Sequence, residues 1–111
     1  MTVLAMTVPI PLGKVETQEA HIAEAIEHED LNKTLNGFGI EHESRHIQET
    51  PEGTLLILVF QCEDPPAMLE AFGKSDAPLP VMQKQFLKET LGIDLSQPPP
   101  GPPPRMIFEW S

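Results

Sequence analysis

The sequence predicts a small α+β domain with the element order βαββαβ, and three observations carry that expectation. Two short segments, residues 3–10 and 55–60, are rich in β-compatible apolar side chains with no polar alternation. Between them lies a stretch rich in Glu, Gln, Ala and Lys, with apolar residues at helical spacing. The turn signal Thr50-Pro51-Glu52-Gly53 then joins a polar segment to the second apolar one as a hairpin.

Taken in order, Val3-Leu4-Ala5-Met6-Thr7-Val8-Pro9-Ile10 reads as the first strand, closed by Pro9 and Pro11 because proline has no N–H to give a sheet. Val15, Ile22, Ile26, Leu31 and Leu35 form one helical stripe with a kink near Asp30, stopped by Gly37 and Gly39. Residues 40–49 are a polar second strand and residues 55–60 a third. Asp64-Pro65-Pro66 starts a helix whose apolar face is Met68, Leu69 and Phe72. Pro80 opens another, marked by Val81, Met82, Phe86, Leu87 and Leu91 and stopped by Gly92. Residues 98–104, nearly all proline, are expected as extended chain spanning roughly 20 Å at about 3.1 Å per residue. They deliver Arg105-Met106-Ile107-Phe108-Glu109-Trp110 as a last strand, or else serve as a ligand for an aromatic-grooved module.

This order is that of the ferredoxin-like fold, an antiparallel sheet with helices on one face, strands one and three central and strands two and four at the edges. The predicted domain covers residues 1–96, with residues 97–111 a proline-rich extended segment. One helical layer covers one sheet face; the other apolar face needs a cover, and a second copy related by a two-fold axis supplies it. A homodimer, a dimeric α+β barrel, is therefore the expected assembly.

At 111 residues the chain can bury one modest core as a single domain. Its 17 acidic and 7 basic residues give a formal charge of −10, which repels a phosphate backbone and argues against nucleic acid and anionic membranes as partners. Cys62 is the only cysteine, so no internal disulfide forms; residues 1–12 lack a signal-peptide pattern, and a cytoplasmic location is expected. The longest apolar run, residues 55–60, is far short of the roughly 20 residues that cross a bilayer.

Gly73-Lys74-Ser75-Asp76-Ala77-Pro78-Leu79, followed by Gln85-Phe86-Leu87-Lys88-Glu89-Thr90-Leu91, resembles the C-terminal half of a bacterial family of the dimeric α+β barrel type, and Gly13-Lys14 and Glu43-Ser44 fit the same pattern. The resemblance spans residues 2–92 and implies the fold and a dimer. Relatives carry histidine near the positions of Ala77 and Gln83, so no role resting on those histidines carries over to this chain. Haem-degrading enzymes, cofactor-free monooxygenases, lactone isomerases and sensing domains share this architecture, and the fold alone does not choose among them.

His42-Glu43-Ser44-Arg45-His46 matches the H-E-x-x-H pattern of zinc hydrolases. That chemistry needs a helix, where histidines four apart share one face and one Zn²⁺ while the glutamate activates water. On a strand they stand roughly 13 Å apart and Glu43 points to the opposite face. Gly37 and Gly39 before the motif, and Pro51 and Gly53 after it, favour the strand. His42, Ser44 and His46 then line one face with Ile40 and Gln48, either as polar groups of an apolar pocket or as partly exposed edge residues. In the zinc alternative, His42 and His46 bind the metal, Glu43 is the general base, and Glu63 or Glu70 adds a third ligand.

His21, Glu24 and His28 share a helical face that reads as solvated and acidic. Cys62 reads as a core or strand-end thiol whose pKa Glu63 and Asp64 raise. There is no glycine-rich phosphate loop, no C-x-x-C and no tyrosine. The leading functional expectation is a pocket on the sheet face that binds a small organic ligand, or turns it over, without a cofactor. A zinc hydrolase and a non-catalytic interaction module are the alternatives.

Overall fold

The computed structural model describes residues 2–95, 97 and 104–110. Three strands, β1 (Thr2–Ile10), β2 (His42–Thr50) and β3 (Gly53–Cys62), form an antiparallel sheet in the order β1-β3-β2. Four helices complete the fold: α1 (Val15–Ile26), α2 (Leu31–Gly37), α3 (Pro65–Lys74) and α4 (Pro78–Leu91). This is the ferredoxin-like α+β arrangement, with the position beside β1 not filled by any described residue.

The register assigns the two sheet faces without ambiguity. Leu4 lies opposite Phe60, Met6 opposite Leu58 and Val8 opposite Leu56, while Glu43, Arg45 and Ile47 pair with the same three β3 residues from the other side. Residues of that parity are the ones the helices cover, and Leu4, Ile10, Leu56, Leu58, Phe60, Cys62 and Met68 form the core. The opposite face carries Val3, Ala5 and Thr7 of β1, Leu55, Ile57 and Val59 of β3, and His42, Ser44, His46 and Gln48 of β2.

Several expectations are corrected. Helix one breaks into α1 and α2 rather than kinking: the chain leaves the helix at Glu27, and the Asp30 amide donates to His28 Nδ1 at 3.1 Å. Strand two begins at His42, two residues later than expected. Gly39, at φ 72°, turns the chain so that the Ile40 amide donates to the Leu35 carbonyl, and Ile40 drops into the core instead of joining the His42 row. Pro9 does not end β1, which runs on to Ile10; as an edge strand it tolerates a residue without an N–H. Val81 is exposed rather than part of the apolar face of α4, where Leu79 and Pro80 are buried instead.

The helix ends follow local chemistry. The Asp64 carboxylate accepts from the Ala67 amide at 3.2 Å, with proline in the first turn of α3. Lys84 Nζ, on α4, donates to the carbonyls of Gly73 (2.9 Å) and Ser75 (2.5 Å), satisfying the end of α3. Gly92, at φ 70°, ends α4; its amide and that of Ile93 return to the carbonyls of Lys88 and Leu87. The chain then folds back over α3 so closely that the Leu95 carbonyl lies where a side chain on residue 73 would stand, which makes glycine necessary there.

Residues 104–110 have neither helix nor strand, and Ile107, Phe108 and Trp110 are exposed. The expected polyproline spacer lies almost wholly outside the described residues. Among the described residues no helix is long and apolar enough to cross a membrane.

Candidate functional site

The H-E-x-x-H motif lies on β2, not on a helix, so its side chains alternate between faces. His42, Ser44 and His46 are on the helix-free face, where the ring of His46 and the Ser44 hydroxyl form a hydrogen bond at 3.1 Å. Glu43 is on the helix-covered face, where its Oε2 accepts from Arg45 Nε at 3.2 Å in a half-buried ion pair. The four predicted site residues are thus divided between two surfaces. Among the described residues, no three His, Cys, Asp or Glu side chains come together as a metal site, and neither Glu63 nor Glu70 joins the motif. Glu70 is instead bridged to Lys74 at 2.7 Å, which lowers its pKa.

Two concavities lie on the helix-covered face. The inner one, between the sheet, α2, α3 and α4, has a volume of about 60 Å³ and is lined mainly by apolar side chains, with Glu43, Arg45 and Gln83 among them. That is room for a few waters, well below the roughly 300 Å³ at which ligand pockets begin. The outer one is an open groove of about 490 Å³ between α1 and the β2 side of the sheet. Its walls are Ile22, Ala23, Ile26, Ile47 and Leu56, with Gln18, Glu19 and Arg45 as the polar groups. Arg45 borders both spaces.

Gln18 is the unusual member of this groove. It is only 1% exposed, yet both Oε1 and Nε2 are sealed from solvent without a hydrogen-bond partner. An orphaned buried amide costs about 1–3 kcal/mol, so it calls for a partner that the chain does not provide. Arg45 spends its Nε on Glu43 and offers its terminal nitrogens no protein acceptor among the described residues.

One turn further along α1, His21 is buried and stacked on Phe86 of α4. Its pKa is lowered, first by burial and then by the Arg45 charge, with Glu24 opposing, so the ring is neutral near pH 7. The solvated acidic face expected for His21, Glu24 and His28 is therefore wrong for His21; Glu24 is exposed and His28 half-buried. The signal for Gln18 was present in the sequence, since Val15, Gln18, Ile22 and Ala25 recur at helical spacing and place a polar residue inside the apolar stripe. Cys62 is buried at the end of β3, and burial, ahead of the Asp64 charge, pushes its thiol pKa up.

No protein-family model and no curated protein sequence matches this chain. Among solved structures, the chain is similar to the crystal structure of L-rhamnose mutarotase from Formosa agariphila, with a TM-score of 0.67, 14% sequence identity and full coverage of both chains. At that identity the likeness establishes a shared fold across the whole length.

Proposed function

We propose that this chain forms a homodimer whose subunits each hold a small organic ligand in the groove between α1 and the sheet, binding it or turning it over without a cofactor. The observation that carries the reading is Gln18, a sealed amide with no partner on the wall of a ligand-sized groove. An amide offers one donor group and one acceptor side by side, which suits a hydroxylated ligand; the Arg45 terminal nitrogens add donors and Glu19 an acceptor at the same groove. The aliphatic walls suit an apolar ring face or methyl group.

The solved neighbour acts, by its title, on L-rhamnose, a sugar carrying both hydroxyls and a methyl group. A deoxy sugar is accordingly the ligand class we favour. Interconversion of its anomers needs one group to take a proton and another to give one. Glu19 takes the proton of the anomeric hydroxyl while water in the open groove gives one to the ring oxygen, and the reverse transfers close the ring on its other side, with Arg45 and Gln18 holding the oxygens.

The dimer reading rests on the helix-free face, whose centre is Leu55, Ile57 and Val59 flanked by Val3 and Ala5. The pocket proposed here lies on the covered face, so the His42, Ser44 and His46 row belongs to the subunit contact in this reading. Calorimetric titration with L-rhamnose and related 6-deoxyhexoses tests the ligand class. Saturable binding that Gln18→Met abolishes is expected; binding unchanged by that substitution would remove the groove as the site.

A further inference from the structure

The sheet stops at β1, and one side of that strand has no neighbour among the described residues. The same chain carries a six-residue segment, residues 105–110, that holds four large apolar side chains and lies exposed. Ile107, Phe108 and Trp110 are each more than 80% accessible, an arrangement a soluble protein ordinarily avoids unless a partner covers the patch. As a strand, Met106, Phe108 and Trp110 share one face, and six residues reach about 20 Å, most of the length of the nine-residue β1.

We infer that residues 105–110 of each subunit add to the partner's sheet as a fourth strand against the free edge of β1, an inference that rests on the dimer reading above. Chain length selects the partner's edge over the subunit's own. Helix α4 packs against β1 and ends at Leu91, so a neighbouring strand only about 4.8 Å away needs a connection of about 2–6 residues. Residues 92–104 intervene instead. Their first part forms the turn at Gly92 and returns Ile93 and Leu95 onto α3 and the inner cavity, and residues 104–110 beyond make no ladder with the β1 of their own subunit. Pro9 blunts the far end of β1, which confines added pairing to the Thr2 to Val8 portion.

Trp110 is the only tryptophan, so its fluorescence reports the tail alone. Iodide quenching of the full chain is measured alongside its native mass. The expected result is a dimer with Trp110 shielded several-fold relative to free tryptophan. Shielding is lost in Ile107→Pro, which removes a ladder N–H, and in Val59→Asp, which splits the dimer. A dimer whose Trp110 is fully quenchable overturns the inference while leaving the dimer intact. Shielding that persists in a folded Val59→Asp monomer overturns it too, by placing the tail on its own subunit. A wild-type monomer removes the dimer reading and this inference together. Should Val59→Asp fail to fold, dilution of the wild-type dimer reads the same difference.

Discussion

The imidazole of His21 lies flat on the ring of Phe86, with centroids 3.7 Å apart and planes 6° from parallel. This contact joins α1, the helix that walls the groove, to α4, and it does so with a ring kept neutral by burial and by the Arg45 charge. Because its folded pKa lies below the ordinary 6.5, the unfolded chain takes up the proton first as pH falls. Stability contributed by the neutral ring is therefore present above about pH 6.5 and is lost progressively on acidification. The urea midpoint of the wild type should fall between about pH 7.5 and about pH 5.5, and His21→Phe, which keeps an aromatic ring but cannot titrate, should fall less. Equal pH dependence in the two proteins would refute the assignment.

Gln18→Met should separate stability from binding. Removing a sealed, unpartnered amide while keeping its volume should raise stability by about 1–3 kcal/mol, seen as a higher denaturant midpoint. Affinity for a deoxy sugar should fall at least tenfold. A variant that loses stability would mean that Gln18 is already satisfied in the free protein.

Gly73→Ala is expected to destabilise by about 1–3 kcal/mol, even though alanine is the better helix former. The new methyl would meet the backbone of Leu95, which a rotamer change cannot relieve. Thermal unfolding checks this, and an unchanged midpoint would show that the Leu95 turn is free to move away.

Val59→Asp places a charge at the centre of the helix-free face without touching the core. The proposed dimer should dissociate, halving the mass by sedimentation, while the circular dichroism spectrum remains that of the folded domain. A dimer that survives this substitution must be formed through another surface.

The parts of the fold that could be read from sequence were those where one physical signal stood alone. Residues 55–60 could only be a buried strand, and Pro51 with Gly53 could only be its turn. The β2 assignment also stripped the His42 and His46 motif of its helical geometry. What escaped depended on tertiary context. His21 among Glu19, Glu24 and Glu27 has the composition of a wet surface, and its burial follows from Phe86, 65 positions away in the chain. Ile40 keeps the parity of His42 in sequence and loses it to the turn at Gly39. The sequence points to a pocket on the sheet face without saying on which side; the groove walled by α1, Ile47 and Leu56 depends on how that helix sits on the sheet, which no local pattern carries.

The alternation of side chains along β2 has a consequence for how such a protein can change over generations. Arg45 and Ile47 line the groove and Glu43 the inner cavity, while His42, Ser44 and His46 lie on the opposite surface, yet all six occupy one short stretch of chain. Substitutions at odd positions change the helix-covered face and those at even positions the helix-free one, each with little interference from the other. Inserting a single residue near the start of β2 would exchange the two sets at once, so this strand should accept many replacements and almost no changes in length.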